Sequence, residues 1–538
     1  MFEKAKVISS NDNADKFEET SKKILSDHKS NEFFVALVGP AGAGAGTAAR
    51  TLISYFQDAE YQVILVKASE LIRAAAENFG WEVPSESRKS IDSIRTMQDR
   101  GDDLRRGREN DGTEDHAAVA RYILKSINEE RKLSKESEDR ERNRVFVIDS
   151  LRHPAEVQLL RSVYRDSFAL IGVVCDPGER EKRIRHNLFD RSKWSSDFTK
   201  EKVEEFLKRD ENAPEKFGQH VSDTFFESDF FVDNSQSAGE DINNNGMNDQ
   251  LRRFVSLITH DRIVRPNIAE TAMHQARSAQ MRSACLSRQV GAALVDRSGN
   301  VVATGTNEAP KAGGGVYGEG FEDVDCDDHR CAYRATSFCS SNREQNRLIS
   351  ELLDEFSDRF PYEDRGSDLQ KMRKTSVGGL LEFSRAVHAE MDAILSAAMV
   401  GVSPRGCRLF VTTYPCHYCA RHIVAAGIDE VQFVEPYPKS LATELHDDAI
   451  TISAENWVPP SQCVELGHDN GKVLFRPFVG VAPRLYRRVF LKDRSYKDKI
   501  TGDMQIESPE WESSLDSYKI SYLELEERLG LGGVQGRE

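Results

Sequence analysis

Cysteine, positive charge and long hydrophobic runs are all scarce in this chain. Its 9 Cys among 538 residues are too sparse, and odd in number, for a disulfide scaffold, so we expect reduced thiols, some of them on a metal. An uncharged run from Phe33 to Ala49 is shorter than the roughly 20 apolar residues of a membrane-spanning helix, and Pro40 interrupts it. The first residues carry no apolar segment of a secretory signal. These absences predict a cytoplasmic protein without a membrane partner.

The deficit of positive charge bears on the class of ligand. The chain has 73 Lys+Arg against 89 Asp+Glu, a net charge of −16. Coating DNA or RNA non-specifically requires massed basic residues, so this class of function is disfavoured, whereas a local basic pocket for a nucleotide is not. With 39% hydrophobic residues the chain has material for more than one core, and its length predicts several domains.

The first half of the chain alternates short apolar runs with helix-compatible segments. After a polar arm (1–30), the runs that we interpret as buried strands are 33–38, 61–68, 144–150, 168–176 and the weaker 230–234. Helix-compatible segments such as 154–164 lie between them. This alternation predicts an α/β domain over 31–260 with a parallel sheet covered on both faces.

A second α/β pattern occupies residues 261–493. We expect a helix from Ile268 to Cys285, a hairpin of strands 290–296 and 301–307, and a long charged insertion at about 317–387. Further elements follow it: a helix from about His388, a strand over 408–413, a helix from Cys416 and a strand over 430–435. A polar extension (494–538) ends the chain, and there is no internal repeat.

The strongest motif is His388-Ala-Glu390 followed by Pro415-Cys416-His-Tyr-Cys419. It matches the H-x-E…P-C-x-x-C signature of zinc nucleobase deaminases. His388, Cys416 and Cys419 are the predicted zinc ligands, and three protein ligands leave the fourth position to water, as in catalytic sites. Glu390 is the predicted acid/base that moves protons from this water to N3 of a cytosine and to the leaving ammonia. The alternative is a structural zinc knuckle with an incidental glutamate.

A glycine-rich loop follows the first predicted strand. A strand that runs into Gly39-Pro-Ala-Gly42-Ala-Gly44 and then a helix is typical of a P-loop, whose backbone N–H groups bind phosphate. The predicted nucleotide-binding residues are Gly39, Gly42, Gly44, Gly46, Thr47 and Asp149, the last as a magnesium contact. Ala45 stands where the motif requires lysine, so phosphoryl transfer is not expected. The domain either binds a nucleotide with Mg²⁺ or keeps a kinase-like scaffold without a ligand.

Segments beyond the zinc residues resemble the deoxycytidylate deaminases, which have the cytidine deaminase-like α/β/α fold. They are Arg288-Gln-Val-Gly-Ala292 and Gly305-Thr-Asn307-Glu-Ala-Pro310. The resemblance implies that Asn307 contacts sugar and base, although Glu308 stands where many relatives carry glycine. Arg288 either meets a phosphate or pairs with an acidic neighbour. Tyr437 and Lys439 are expected at the rim of the pocket, where Lys439 suits a phosphate or stays exposed.

The combination of the two halves resembles the anti-phage deoxycytidine nucleotide deaminases of bacteria, in which a degenerate P-loop kinase-like domain is fused to a deoxycytidylate deaminase. The resemblance implies conversion of dCTP and dCMP to deoxyuridine nucleotides, which depletes the dCTP that phage replication needs. It also implies a regulatory first domain, a homo-oligomer and an inhibitory small RNA.

The insertion contains a looser cluster of metal-type residues. Cys326, His329, Cys331 and Cys339 predict a second, structural zinc site, or else the thiols are simply buried. Two other functions share parts of the pattern. One is a polynucleotide (ssDNA or RNA) cytidine deaminase, which would prefer a basic, aromatic groove. The other is a nucleotide kinase with a vestigial deaminase domain, against which the missing lysine counts.

Overall fold

The computed structural model describes residues 29–30, 32–85, 90–108, 112–135, 143–194, 196–211, 215–235, 246–318, 328–357, 364–379, 383–435, 437, 440–467, 471–492, 496–505 and 511–512. The strands in these ranges are β1 (Lys29–Ser30), β2 (Glu32–Val38), β3 (Gln62–Lys67), β4 (Arg144–Asp149), β5 (Phe168–Val174), β6 (Phe230–Asp233), β7 (Gly291–Val295), β8 (Val301–Thr306), β9 (Arg408–Thr413), β10 (Glu430–Glu435), β11 (Ile450–Thr451), β12 (Val473–Pro477), β13 (Gly480–Val481) and β14 (Trp511–Glu512).

The helices of the described residues complete a mixed α/β architecture. They are α1 (Ala45–Asp58), α2 (Ala68–Asn78), α3 (Ile91–Arg105), α4 (Ala118–Lys135), α5 (Pro154–Tyr164), α6 (Pro177–Leu188), α7 (Asp197–Glu211), α8 (Val221–Phe226), α9 (Gly246–Thr259), α10 (Ile268–Gln280), α11 (Ser340–Glu355), α12 (Arg365–Arg373), α13 (Ala389–Met399), α14 (His417–Ala425), α15 (Ala442–Leu445), α16 (Pro460–Glu465) and α17 (Pro483–Phe490). None of these helices is long and apolar enough to cross a membrane.

The first sheet has the strand order β13-β6-β5-β2-β4-β3 in the described residues. Strands β2 to β6 run parallel, and β13 adds an antiparallel edge. Every residue of β2 is buried, as expected for a parallel strand with helices on both faces. The α/β class and the parallel sheet predicted from the apolar runs are therefore confirmed.

Helices cover both faces of this sheet. Leu52 and Phe56 of α1 pack with Phe254 of α9 on one face, and Ile123 of α4 packs with Tyr164 of α5 on the other. Helix α5 begins where predicted because His153 and Glu156 form a capping box around its first turn. Burial of these apolar side chains supplies the main driving force for folding of this unit.

The second sheet has the order β11-β12-β10-β9-β7-β8. Strand β7 is antiparallel to β8 and β9, while β9, β10, β12 and β11 run parallel. Ala393 of α13 and Ile423 of α14 pack on one face, and Met273 of α10 packs on the other. The result is three layers, α/β/α. Helix α10 ends at Gln280 rather than at the predicted Cys285, because the Ser283 hydroxyl donates to the carbonyl of Asn307 (2.8 Å) and draws the chain across the end of β8.

The two units share an apolar core, and the chain returns from the second unit to the first. Phe231 of the first sheet lies in one apolar cluster with Met273 and Phe410 of the second. After β12 the chain returns to the first sheet, where β13 pairs with β6 and Leu485 of α17 packs into the first core. Residues 480–490 therefore contribute to the first unit although they follow the second, and the predicted boundaries at 260 and 493 stay predictions.

Candidate active site

The predicted metal ligands lie at the N-termini of two helices that pack on the second sheet. His388 is the N-cap of α13, and Cys416, three residues after the end of β9, is the N-cap of α14. Cys419 lies in the first turn of α14, so both sulfurs lie on the same side of that helix. The carbonyls of His388 and Cys416 accept the first helical hydrogen bonds, at 2.9 Å each, which fixes both backbones at the end of the sheet.

The structure brings His388, Cys416 and Cys419 together as one group of ligand atoms. Nδ1 of His388 lies 3.3 Å from the Sγ atoms of Cys416 and of Cys419. Both thiols are buried, and the three ligand atoms lie within 4.8 Å of one another. One imidazole nitrogen and two sulfurs at such separations fit a single tetrahedral Zn²⁺, whose bonds to N and S are about 2.0–2.3 Å long. The donor set thus fits zinc.

The ionisation of the triad is strongly coupled. The hydrogen bond with Cys419 lowers the pKa of the Cys416 thiol to about 4, and the hydrogen bond with Cys416 raises the pKa of His388 to about 9. The contact with Cys416, together with burial, raises the pKa of Cys419 above its ordinary value. Since a metal needs thiolates and a neutral imidazole, its binding must release protons from this cluster.

Glu390 lies in the first turn of α13, two residues after His388, and is only 4% exposed. Burial raises the pKa of its carboxyl to about 6, and the charge of His388 opposes this effect. A carboxyl with a pKa close to neutrality exchanges protons readily under physiological conditions, as general acid/base catalysis requires.

A pocket of about 430 Å³ opens above the triad. His388, Glu390 and Cys416 line one part of it, and Arg288 with Tyr437 lines another. The Arg288 guanidinium lies 6.0 Å from the Tyr437 ring and 3.8 Å from a carboxylate oxygen of Glu435. Lys439, predicted for the same rim, lies outside the described residues.

Asn307 lines this pocket, but its amide is engaged with the neighbouring loop. Its Oδ1 accepts from the Val290 N–H, and its Nδ2 donates to the Arg288 carbonyl, both at 2.6 Å. Glu308 is also buried, and its carboxylate accepts from the N–H groups of Ala284 and Ala309 at 2.8 Å each. Asn307 therefore fixes the loop that carries Arg288, and its contact with a nucleotide stays a prediction.

The insertion contributes a wall of the pocket that the sequence did not reveal. Ser340 and Ser341, at the start of α11, and Arg385 line the pocket together with His388 and Cys416. Arg385 donates to the carbonyl of His329 at 2.5 Å. Its position three residues before His388 was the available signal for a role at the site.

The predicted second zinc site is not assembled in the described part of the chain. His329, Cys331 and Cys339 do not form a group of metal ligands there, where the triad at His388 is the group found. Cys339 instead lies 3.3 Å from the hydroxyl of Ser287. Cys326 lies outside the described residues, so the four-residue site stays a prediction.

The residues predicted to bind a nucleotide in the first unit meet at the ends of β2 and β4. Gly39, Gly42 and Gly44 lie in the loop between β2 and α1, Gly46 and Thr47 lie in the first turn of α1, and Asp149 ends β4. Gly42 and Gly44 have positive φ of 81° and 90°, which a side chain would strain. Asp149 approaches Gly46 so closely that a Cβ there would lie 3.4 Å from its carboxylate.

A His/Cys/Cys triad with a buried glutamate two residues after the histidine, on an α/β/α sheet, defines the class of metal-dependent nucleobase deaminases. Residues 266–435 match the model of the cytidine and deoxycytidylate deaminase zinc-binding region. Deoxycytidylate deaminase of Enterobacteria phage T2 is 31% identical over 179 residues, which cover 32% of this chain and 82% of that protein. The phage T4 deoxycytidylate deaminase is 30% identical over 179 residues, covering 32% and 80%.

A solved structure was also matched, the apo crystal structure of dCMP deaminase from cyanophage S-TIM5. It is 19% identical, with a TM-score of 0.20, over 40% of this chain and 99% of that one. On the sequence relationship to the phage proteins, the chain belongs to the cytidine and deoxycytidylate deaminase family. It is a deaminase enzyme, and its second unit is the deaminase domain.

Proposed function

We propose that this protein hydrolytically deaminates free deoxycytidine nucleotides, dCMP and/or dCTP, to deoxyuridine nucleotides, with zinc held by His388, Cys416 and Cys419. The observation that carries the proposal is the pocket that His388, Cys416 and Glu390 line together with Arg288 and Arg385. A cytosine at the triad and a phosphate at the arginines require that combination. The phage relatives, named for deoxycytidylate, support the same substrate class.

The chemistry divides between the metal and the carboxyl. When bound, zinc supplies a Lewis acid that makes water a nucleophile at neutral pH. Glu390 accepts a proton from the attacking water and delivers it to N3 of the cytosine. The C4–N4 bond then breaks as Glu390 assists protonation of the leaving nitrogen, so that ammonia departs and C4 becomes a carbonyl. Glu390 is buried, so protein atoms rather than bulk water surround its carboxyl during these steps.

The other wall of the pocket suits the sugar and phosphate. The Arg288 guanidinium is about half exposed and bound only loosely to Glu435, at 3.8 Å, so exchange of this pair for a phosphate costs little. Arg385 lines the pocket from the insertion side. Guanidinium groups bind phosphate through two parallel hydrogen bonds, which gives both strength and orientation.

The wider role rests on the resemblance of the two-domain arrangement to anti-phage deaminases. We extend the proposal to depletion of dCTP in defence against phage, with the first unit as a regulatory nucleotide-binding domain, a homo-oligomeric assembly and a small inhibitory RNA. A plaque assay in cells carrying the wild type or a Glu390→Gln variant tests this role. Equal plaquing on both would remove the antiviral part of the proposal.

The biochemical proposal is tested with a panel of substrates. The zinc-loaded protein is incubated with dCMP, dCTP, CMP, CTP and a cytosine-containing single-stranded DNA, and the products are separated by chromatography. We expect deoxyuridine nucleotides from dCMP or dCTP. Deamination of the DNA alone would make the protein a polynucleotide deaminase, and phosphorylated products without deamination would make it a kinase.

A further inference from the structure

The glycine loop of the first unit (39–47) is held by a carboxylate from another helix. The N–H of Ala41 donates to Oδ2 of Asp210 at 2.6 Å, and Asp210 lies near the end of α7. The side chain of Asp210 is 1% exposed, and its Oδ1 also accepts from Nη1 of Arg152 at 2.6 Å. A carboxylate thus sits against a backbone donor of a loop whose shape suits a bound anion.

The rest of the loop keeps the features of an anion cradle. Helix α1 has Gly44 as its N-cap, so no side chain caps its first N–H groups. A Cβ on Gly42 would lie 2.7 Å from the carbonyl oxygen of Arg180, and a Cβ on Gly44 would overlap the amide of Asn234. The loop is therefore packed tightly under α6, with its helix start uncapped by a side chain.

Arginines of two helices, α6 and α1, contact the loop. The Nε of Arg180 donates to the carbonyl of Ala41 at 3.2 Å, and its Nη2 pairs with Glu211 of α7 at 2.6 Å. From α1 itself, Arg50 donates to the hydroxyl of Thr47 at 3.1 Å and lies 3.9 Å from where a Cβ on Gly46 would be. Because Gly46 has no side chain, Arg50 can approach the loop that lacks the expected lysine.

A buried polar group beside Asp210 is only partly satisfied. Gln98 of α3 is 6% exposed, and its Nε2 donates to Asp210 and to Gln219 at 3.3 Å each. Its Oε1 is buried without a hydrogen-bond partner in the described residues. A buried acceptor without a donor costs free energy, so the hydrogen bonds beside Asp210 are not all satisfied within the described residues.

We propose that the 39–47 loop binds a magnesium-bound nucleoside polyphosphate, and that Asp210 competes with it by occupying the anion position. The proposal rests on the nucleotide-binding role suggested for the first unit and not on the deaminase reaction. Asp149, at the end of β4 beside Gly46, is placed to meet the magnesium ion.

The exchange of partners follows from charge. A polyphosphate and a buried carboxylate repel each other at the same N–H group, so they exclude one another there. Asp210 and Glu211 are consecutive at the end of α7, and they hold Arg152 and Arg180 respectively. When the phosphates arrive, both arginines change from carboxylate to phosphate partners, and this end of α7 is released.

The test is a fluorescence titration of the full-length protein with mant-ATP and Mg²⁺, using the Glu390→Gln background so that no competitor is deaminated. We expect Asp210→Asn to tighten binding at least tenfold, because it removes the competing charge. Asp197→Asn, on the same helix but fully exposed, is the matched control and should change the Kd less than twofold. Displacement of mant-ATP by dCTP and by pyrophosphate separates recognition of the base from recognition of the phosphates.

Unchanged or weaker binding in a folded Asp210→Asn protein would overturn the proposal, as would the lack of mant-ATP binding by every variant. If Asp210→Asn does not fold, hydrogen exchange on the wild type decides. Saturating MgATP should increase amide exchange in residues 197–211, and unchanged or reduced exchange there would equally overturn it. A protein without deaminase activity still gives these readouts, so the two proposals fail separately.

Discussion

Glu390 and His388 lie two residues apart at the start of one helix, and this short step places a proton carrier beside the metal triad. His388 caps α13, and Glu390 occupies its first turn with 4% exposure. The spacing in H-x-E therefore determines the relative positions of the histidine and the glutamate as well as their identities. The cysteines follow the same rule, since Cys416 caps α14 and Cys419 lies one turn on.

Replacement of Glu390 by glutamine keeps the size of the side chain and removes its proton transfer. We expect kcat for dCMP to fall about 10²- to 10⁴-fold, the usual contribution of a general acid/base. The zinc content should stay that of the wild type, because Glu390 is not a predicted ligand. Glu444→Gln, at the start of α15 and exposed, is the matched control, and a loss of activity in it would contradict the assignment.

A second prediction concerns the side chain of Arg385. If it binds the 5′-phosphate, Arg385→Gln loses a charged hydrogen bond worth about 1.5–3 kcal/mol, which is roughly 10- to 100-fold in kcat/KM. The loss should affect dCMP and spare deoxycytidine, which has no phosphate. Arg347→Gln, on the exposed face of α11, should leave both rates unchanged. Equal losses for dCMP and deoxycytidine would mean that Arg385 only supports the fold.

The sequence predicted the residues whose spacing is local and missed those that the fold brings from afar. His388, Glu390, Cys416 and Cys419 belong to two short motifs, and the chemistry of each motif requires its spacing. Asp210 contacts the loop at Ala41, which is 169 positions away along the chain, so no local pattern could reveal it. Such contacts become visible only with the three-dimensional structure.

The close packing of helix α13 on strand β8 positions the active site. Gly305 of β8 lies against the backbone of α13, where a Cβ would overlap the carbonyl oxygen of Ala389 and the N atom of Ala393. Next to it, the N–H of Thr306 donates to the carboxylate of Asp392 at 2.9 Å. These contacts fix the distance between the sheet and α13, the helix that carries His388 and Glu390.

Gly305→Ala should therefore displace α13 and misplace both functional residues. A shift of about 1 Å at a catalytic group costs roughly 100-fold in rate, and zinc affinity should fall with it. Gly318→Ala is the control, because nothing lies within 4 Å of a Cβ there. Activity in Gly305→Ala within threefold of the wild type would show that the packing can adapt.

How well the sequence predicts a helix or strand depends on how far that element's own residues determine its bounds. Strands β9 and β10 begin and end where predicted, because each has an apolar centre (LFV in β9, VQFV in β10) and lies between turns. Strand β13 is two residues long, too short for any pattern, and it forms through pairing with β6. Helix α10 ends five residues before the predicted Cys285, because tertiary hydrogen bonds terminate it.

The whole molecule is held together by a buried ion pair and a shared core. Glu270, at the start of α10, is fully buried and binds Arg253 of α9 through both oxygens, at 2.5 and 2.8 Å. It also accepts from the N–H of Val481 at 2.9 Å. One carboxylate thus joins the deaminase domain, the first unit and the returning segment, an arrangement that domain-by-domain interpretation of the sequence did not predict.

Glu270→Ala removes the carboxylate partner of Arg253, which keeps only the carbonyl of Arg265 among its described acceptors, and leaves the Val481 N–H without its acceptor. Breaking a fully buried pair costs about 3–5 kcal/mol. Because the Arg253 side chain is 25% exposed, the free energy of unfolding in urea should fall by about 3 kcal/mol, the lower end of that range. Glu465→Ala, which breaks the half-exposed pair with Arg297, should cost no more than about 1 kcal/mol. Equal losses in the two variants would mean that the junction contributes little to stability.

The proposed deaminase function depends on a metal ion at His388, Cys416 and Cys419, and a zinc titration tests this dependence most directly. Metal-stripped protein is titrated with Zn²⁺ while dUMP formation from dCMP is followed. If the proposed function is right, the protein has no activity without metal, its activity rises to a plateau as zinc is added, and a Cys416→Ser variant needs far more zinc. Full activity in the metal-free protein, or no dUMP from the fully loaded protein, would contradict it.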